Sequence, residues 1–334
     1  VFNISLFISF GDVLAARLLD EYAQNPLALS DVLILLPNRR ACKTMAETFV
    51  KLRGMQPMLL PQMLPIADVE EDELALSGQG AAAGVLEIPS AISPMERMML
   101  FMRIILSKPQ EFGTESISLS QACFLAQELG SLIDAVHNEN LDFANLQNLV
   151  PEEYAGHWQE TLKFLEIITY YWPQILQERG VIDASESKNK LMLKQAQIWA
   201  ETKPNKRIII AGTTATFPSM RELVRVVAEL PNGEIVLAGL DKFLDEESWN
   251  KIDESHPQFE LKTLLDFLKI SREQVQDLVL PQNEEREKLL SEIMRPAVST
   301  DKWRDLTPKT ISAEACEGLQ LIDCQDIRQE AVAI

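Results

Sequence analysis

The sequence predicts an α/β protein whose parallel sheet is doubly wound and split by a mostly helical insertion. Three observations carry this. The runs DVLILLP (31–37) and RIIIA (207–211) are near-continuous aliphatic stretches, as expected for strands buried on both faces of a parallel sheet. Each is followed by a segment in which apolar residues recur at helical spacing. Between them, from about Ser93 to Glu201, almost everything reads as helix. The chain has 334 residues and is 46% apolar, enough for a sizeable core and about two domains.

The elements follow in order. Phe2–Phe10 is an apolar run of strand length, and Asp12–Tyr22 places Val13, Ala16, Leu19 and Tyr22 on one helical face. After the strand 31–37, Arg40–Val50 reads as a helix and Met58–Leu60 as a third short strand. Residues 68–84 (DVEEDELALSGQGAAAG) are first acidic and then small, which predicts a solvated loop. Ser93-Pro94 with Glu96 predicts a helix start with a capping box. Leu125, Leu129, Leu132, Ile133 and Val136 form one apolar stripe; Leu165, Ile168, Trp172, Ile175 and Leu176 form another. The α/β pattern resumes with the strand at 207–211, a helix at Pro218–Leu230 and a strand at Glu234–Ala238. A charged helix is expected at Glu284–Met294 and a last strand at Leu319–Ile322. The implied division is a first part of the α/β lobe (1–67), an acidic and small-residue loop (68–91), a helical insertion (92–203), the second part of the lobe (204–245), a mixed helical region (246–315) and the start of a truncated second lobe (316–334). The chain begins with Val and stops just after an apparent strand, so both ends read as fragment boundaries.

Charge narrows the function. Thirty-one Lys and Arg against 50 Asp and Glu give −19, which argues against binding nucleic acid or an anionic membrane by bulk charge and leaves room for a local basic track. Cys42, Cys123, Cys316 and Cys324 show no C-x₂-C spacing, so reduced thiols in a cytoplasmic protein are expected rather than a zinc ribbon or a disulfide framework. The first basic residue is Arg17, after the apolar start, which does not suit a secretory signal. The best apolar run, Met98–Leu106, contains Arg103 and falls far short of the ~20 residues that span a bilayer.

The phosphate chemistry of a nucleotide-hydrolysing sheet is missing. In the turn Ser9-Phe10-Gly11-Asp12-Val13, Gly11 is the one glycine, no Lys or hydroxyl follows, and Asp12 adds negative charge where phosphate would sit. The strand 207–211 runs into Gly212-Thr213-Thr214-Ala215-Thr216, with no carboxylate for Mg²⁺ or water activation. His137, His157 and His256 form no hydrolytic motif, and Asp68, Glu70, Glu71, Asp72 and Glu73 read as a solvated acidic loop rather than a cation site. The scarce cations are more informative. Asn38, Arg39 and Arg40 follow directly on a strand, with Lys43 one turn later, which puts positive charge and a helix N-terminus at the carboxyl edge of the sheet. A phosphodiester backbone is one ligand this suits; surface arginines are the alternative. Tyr170-Tyr171-Trp172 cannot all face a core, so one of them is a base-stacking or partner-facing candidate.

In order, LILLPNRRACKTMAETF, LLPQMLPIADVEEDE, ISPMER, RIIIAGTTATFPSMRELVRVVAELPNGEIVLAGLD, the SW…HPQFELKTLL stretch and EGLQLIDCQDIRQEAVAI give the chain a likeness. It resembles the N-terminal part of the AddB family, the helicase-like nuclease subunits of bacterial AddAB double-strand-break repair complexes, in their alphaproteobacterial form. The resemblance spans essentially the whole chain. It implies a RecA-like (P-loop NTPase-type) lobe split by a helical subdomain, a role in homologous recombination, and an AddA-like motor partner that supplies ATP-driven translocation. It also implies a link to scanning DNA for a Chi-type signal, and a nuclease with an iron–sulfur cluster and Mg beyond residue 334, so no cofactor is expected in this segment. PNRRA (37–41) is similar to a helicase motif that touches single-stranded DNA, and GTTATFPSMREL stands where related helicases carry D-E-x-x; the resemblance therefore puts Asn38, Arg39, Arg40, Lys43, Thr213 and Thr214 near DNA and makes Gly11 and Asp12 a degenerate nucleotide site. The expected function is a DNA-contacting, ATPase-inactive module. An acidic protein-interaction scaffold and an active ATP-dependent helicase or nuclease subunit are the alternatives. At −19, the chain alone is expected to bind DNA weakly.

Overall fold

The computed structural model describes residues 1–54, 56–66, 88–107, 116–141, 170–307 and 310–334. The acidic loop 68–84, Leu165, Ile168 and His157 lie outside these. In chain order the main elements are β1 (Phe2–Ile4), α1 (Phe10–Glu21), β2 (Leu33–Leu36), α2 (Arg39–Leu52), β3 (Gln62–Pro65), α3 (Pro94–Ser107), α4 (Leu119–Asn138), α5 (Trp172–Arg179), α6 (Ala184–Thr202), β4 (Ile208–Ala211), α7 (Pro218–Glu229), β5 (Gly233–Ala238), α8 (Glu246–Asn250), α9 (Phe259–Leu268), β6 (Gln276–Asp277), α10 (Glu284–Ile293) and α11 (Ile327–Ala333). The protein is α/β, with a six-stranded, all-parallel sheet in the order β3-β2-β4-β5-β1-β6. It divides into two compact units, one of Val1 and 14–236, the other of 2–13 and 237–334.

In the larger unit the aliphatic runs do what their composition requires. All four residues of β2 and all four of β4 are buried. At the amino ends of β4 and β5, Arg17 and Arg207 both pair with the buried Glu234, with Arg207 Nη2 to Glu234 Oε2 at 2.9 Å. The third strand lies at 62–65 rather than 58–60: Ile34 pairs with Met63, and the apolar Met58–Leu60 is irregular chain.

The described helices of the insertion pack around Phe101 and Ile105 of α3, Leu129 and Ile133 of α4, and Trp172 and Leu176 of α5. Ser118 and Gln121 form a reciprocal capping box that starts α4. At α3 the box is half made. Ser93 Oγ accepts the Glu96 N–H at 3.2 Å, while the Glu96 carboxylate pairs with Arg179. One polar node ties the bundle together. Arg97 donates from both terminal nitrogens to Asp134 at 2.7 Å, and from Nη1 to Asp183 Oδ1 at 3.0 Å. Trp172 Nε1 donates to Asp183 Oδ2 at 2.5 Å. Asp183 sits at the N-cap position of α6 but makes no side-chain cap, because its fully buried carboxylate is already engaged. Gly130, a residue that weakens a helix interior, is explained by Arg97: a Cβ there would lie 3.1 Å from Arg97 Nη2.

In the smaller unit, Asn3 of β1 donates to Asp277 of β6 at 3.0 Å and accepts the Leu240 N–H at 2.9 Å. β6 has two exposed polar residues, so it carries no apolar signal in the sequence. The apolar run 2–10 is not one strand: after Ile4 the chain turns, with Ser5 Oγ accepting the Phe7 N–H at 3.2 Å and Leu6 and Phe7 exposed. Leu319–Ile322 is irregular and exposed rather than a strand, since no neighbouring strand among the described residues offers it a hydrogen-bonded ladder.

Asp245 is the electrostatic centre of this unit. It caps α8 through the Ser248 N–H at 3.0 Å, accepts Lys302 Nζ at 2.8 Å and pairs with Arg295. Burial pushes its carboxyl up, but the bonds from Lys302, Arg295 and Ser248 outweigh burial and hold it well below the usual carboxylate range. A depressed folded pKa gives stability that is present above the unfolded value, about 3.9, and is lost as pH falls through the folded one. The Asp245→Asn variant is therefore expected to be less stable at neutral pH by about 1 kcal/mol, a figure reduced for its partial exposure. Its urea midpoint is expected to fall less steeply between about pH 4 and pH 2. Parallel pH profiles for the two proteins would refute the assignment.

Candidate nucleic-acid interface

Topology selects one edge of the sheet. In the larger unit, β2 continues through α2 to β3 on one side, while β4 continues through α7 to β5 on the other. Right-handed crossovers in opposite directions place α2 and α7 on opposite faces. The chain therefore diverges beyond the carboxyl ends of β2 and β4, the crevice where open α/β sheets bind ligands. Leu35 pairs with Ile210, and each strand has one residue left. Residues 37–40 and 212–217 thus leave the sheet side by side.

The first of these segments is built against its own local electrostatics. Asn38 is the N-cap of α2, its side chain accepting the Ala41 N–H at 2.9 Å. The next two residues are Arg39 and Arg40, both exposed, and the first turn contains no acid. A helix N-terminus carries partial positive charge, so each arginine there costs ~0.3–1 kcal/mol at low salt. Lys43, exposed one turn on, has Glu47 at 3.9 Å. The first turn of α1 has the opposite chemistry: Asp12 lies in it, as the dipole prefers. Gly11 and Asp12 are therefore helical residues rather than a turn, and Ser9 Oγ lies 3.4 Å from the Asp12 amide. An anion is favoured at α2 and opposed at α1.

The second segment is held in a set shape. Gly212 has φ +71, and the buried Ala215 has φ +50, a left-handed conformation that is uncommon for alanine. Thr213 Oγ1 accepts the Ala215 N–H at 3.1 Å. Arg221, from the first turn of α7, donates to the carbonyls of Ala215 at 3.0 Å and Thr216 at 2.7 Å. Thr214 is exposed at the tip. The sequence pointed to Thr213 and Thr214, but not to the Arg221 clamp; an arginine three residues after Pro218 reads as an ordinary helix-surface charge.

Other predicted residues fall into structural roles. His137 Nδ1 lies 3.1 Å from Ser185 Oγ, and His256 Nδ1 accepts the Gln258 N–H at 3.1 Å. Of the aromatic triplet, Trp172 is buried, its ring tilted by 50° against Phe101 with centroids 4.3 Å apart, and Tyr170 is exposed, meeting Tyr171 edge-on at 5.2 Å. The four cysteines are free thiols. Among the described residues no group of His, Cys, Asp or Glu is arranged to hold a metal ion, and no helix is long and apolar enough to cross a membrane. No family model matches the chain, and no curated protein matches it.

Proposed function

We propose that this chain is a RecA-like, helicase-derived module of a double-strand-break repair complex of the AddAB type, cytoplasmic, which contacts single-stranded DNA without hydrolysing ATP. The observation that carries the reading is the pair Arg39–Arg40 at the N-terminus of α2, beside the diverging ends of β2 and β4. Two cations placed against a helix dipole, at the edge where such sheets bind ligands, suit a phosphodiester backbone. The all-parallel α/β sheet and its helical insertion are what the resemblance to AddB requires. The ATPase-inactive part rests on the absence of lysine and hydroxyl after Gly11 and of carboxylate after Ala211. In this reading an AddA-like subunit supplies the motor, and this chain positions the strand.

The net charge of −19 favours a second reading, an acidic scaffold that docks a protein partner. Photocrosslinking of single-stranded DNA to the chain in about 50 mM salt separates the two, since phosphate attraction is strong there. Crosslinks at 38–43 and 213–214 that disappear at high salt support DNA contact. Crosslinks elsewhere, or none, leave the scaffold. Micromolar binding of Mg-ATP by calorimetry would overturn the ATPase-inactive part.

A further inference from the structure

The smaller unit contains a pocket of about 220 Å³ that the DNA reading does not use. Its walls are apolar, formed by Leu6, Phe7, Leu240, Phe243, Leu290 and Met294. Ser5, Asp241, His256, Gln258, Glu287 and Ser291 supply its polar lining, and the last two carry the argument. Glu287, on α10, is hydrogen-bonded by the Ser5 hydroxyl. Ser291, one turn further along α10, is 4% exposed, and its hydroxyl has no hydrogen-bond partner. We infer that this pocket is a binding site for an organic cation: an amidinium, guanidinium or ammonium group on a small apolar body.

Charge and geometry agree on the sign of the ligand. Asp241, Asp277 and Glu284 all act on Glu287 from nearby. The neighbouring lysines are already taken: Lys242 pairs with Asp277 at 2.7 Å, and Lys288 with Glu284 and Glu285, each at 2.8 Å. Among the described residues no cation pairs with Glu287 itself. His256 accepts the Gln258 N–H at Nδ1, and its Nε2 meets the Met294 carbonyl, so both ring nitrogens are already engaged. Burial first, and then these carboxylates, hold the Glu287 carboxyl above its usual range, as expected for an acid without a counter-ion. A bound N–H cation would give Glu287 its counter-ion and donate to the orphaned Ser291 Oγ, while its apolar body fills the walls. The same surroundings repel a phosphate. This inference does not depend on the DNA reading.

The test is calorimetry on the whole chain at about pH 8, well above the ordinary carboxylate range, to favour the charged form of Glu287. The ligands are benzamidinium, its neutral isostere benzamide, the anion benzoate, and Mg-ATP. Benzamidinium is expected to bind with Kd below about 1 mM, about tenfold or more tighter than benzamide, with no benzoate binding. Glu287→Gln, which keeps the shape and removes a half-buried acid without a counter-ion, is expected to melt no lower than the parent and to bind benzamidinium and benzamide equally. Ser291→Ala is a second, conservative variant expected to weaken benzamidinium several-fold. Butylguanidinium and N-acetyl-arginine methylamide then distinguish a free small cation from an arginine carried on a partner's backbone. Equal binding of benzamidinium and benzamide, cation binding that survives Glu287→Gln, Glu287-dependent binding of Mg-ATP, or no binding at all would overturn the inference.

Discussion

Replacing Arg39 and Arg40 together by alanine is expected to weaken single-stranded DNA binding at least tenfold at low salt. The salt slope of log K is expected to fall by about 1.4, the value for two lost phosphate contacts on a single strand. Loss of affinity with an unchanged slope would mean that the arginines act through structure and not through phosphate. A companion variant guards against that. Arg40→Glu places an acid in the first turn of α2, where no acid now stands. It should make the unliganded protein more stable by about 1 kcal/mol at low salt while abolishing the DNA contact. A residue retained for structure would show destabilisation with either change. Stability and binding moving in opposite directions is the behaviour of a site held against local preference.

The second large effect is expected in the helical insertion. Arg97→Met leaves Asp183 buried with Trp172 as its remaining polar partner, and an uncompensated buried charge costs about 3–5 kcal/mol. Asp183→Ala should cost a similar amount. Asp134→Ala should cost less, because its side chain is 36% exposed and water replaces part of the lost bonding. Within one network these losses do not add, so the Arg97→Met/Asp183→Ala double variant should be more stable than the sum of its two single changes predicts. Urea midpoints of the four proteins decide the matter. Additive losses would mean that Arg97 and Asp183 act independently. Asp134 also answers to pH. Burial raises its carboxyl, but Arg97 outweighs burial and holds it below its usual range, so its contribution is lost on acidification.

Much of the sheet was legible in the sequence because burial on both faces leaves a compositional mark. LILL and IIIA are unbroken aliphatic runs, and β2 and β4 sit within a residue or two of the expected spans. Where the mark failed, hydrogen bonding rather than hydropathy decided. Leu6 and Phe7 continue the apolar run of β1, yet Ser5 turns the chain. Met58–Leu60 is more apolar than Gln62–Pro65, yet register with β2 selects the latter. Leu319–Ile322 has a strand's composition and no partner strand, and β6 has a partner strand and no strand composition. A strand is a property of a pair, and a single segment records half of it.

The candidate site was legible where chemistry is rare. Arginines are scarce in so acidic a chain, so Arg39 and Arg40 stand out in a linear reading. The direction in which β2 and β4 diverge, the left-handed Ala215 and the clamp from Arg221 depend on tertiary placement and leave no local pattern. The pocket around Glu287 was invisible for the same reason, since its lining comes from four separate segments of the sequence.

The pairing of β2 with β4 also sets a schedule for synthesis. Leu33 pairs with Ile208, roughly 175 residues later in the chain. At ribosomal rates of about 5–20 residues per second, β2 emerges ~10–35 s before the strand that will cover its inner edge. β3 follows β2 closely and can protect one side, but the other remains an open, wholly aliphatic edge during that interval. The helical insertion is translated in this gap. Its early compaction shortens the loop that must close, so a weakened bundle, as in Arg97→Met, should raise the fraction of newly made protein that aggregates beyond what its equilibrium stability alone predicts.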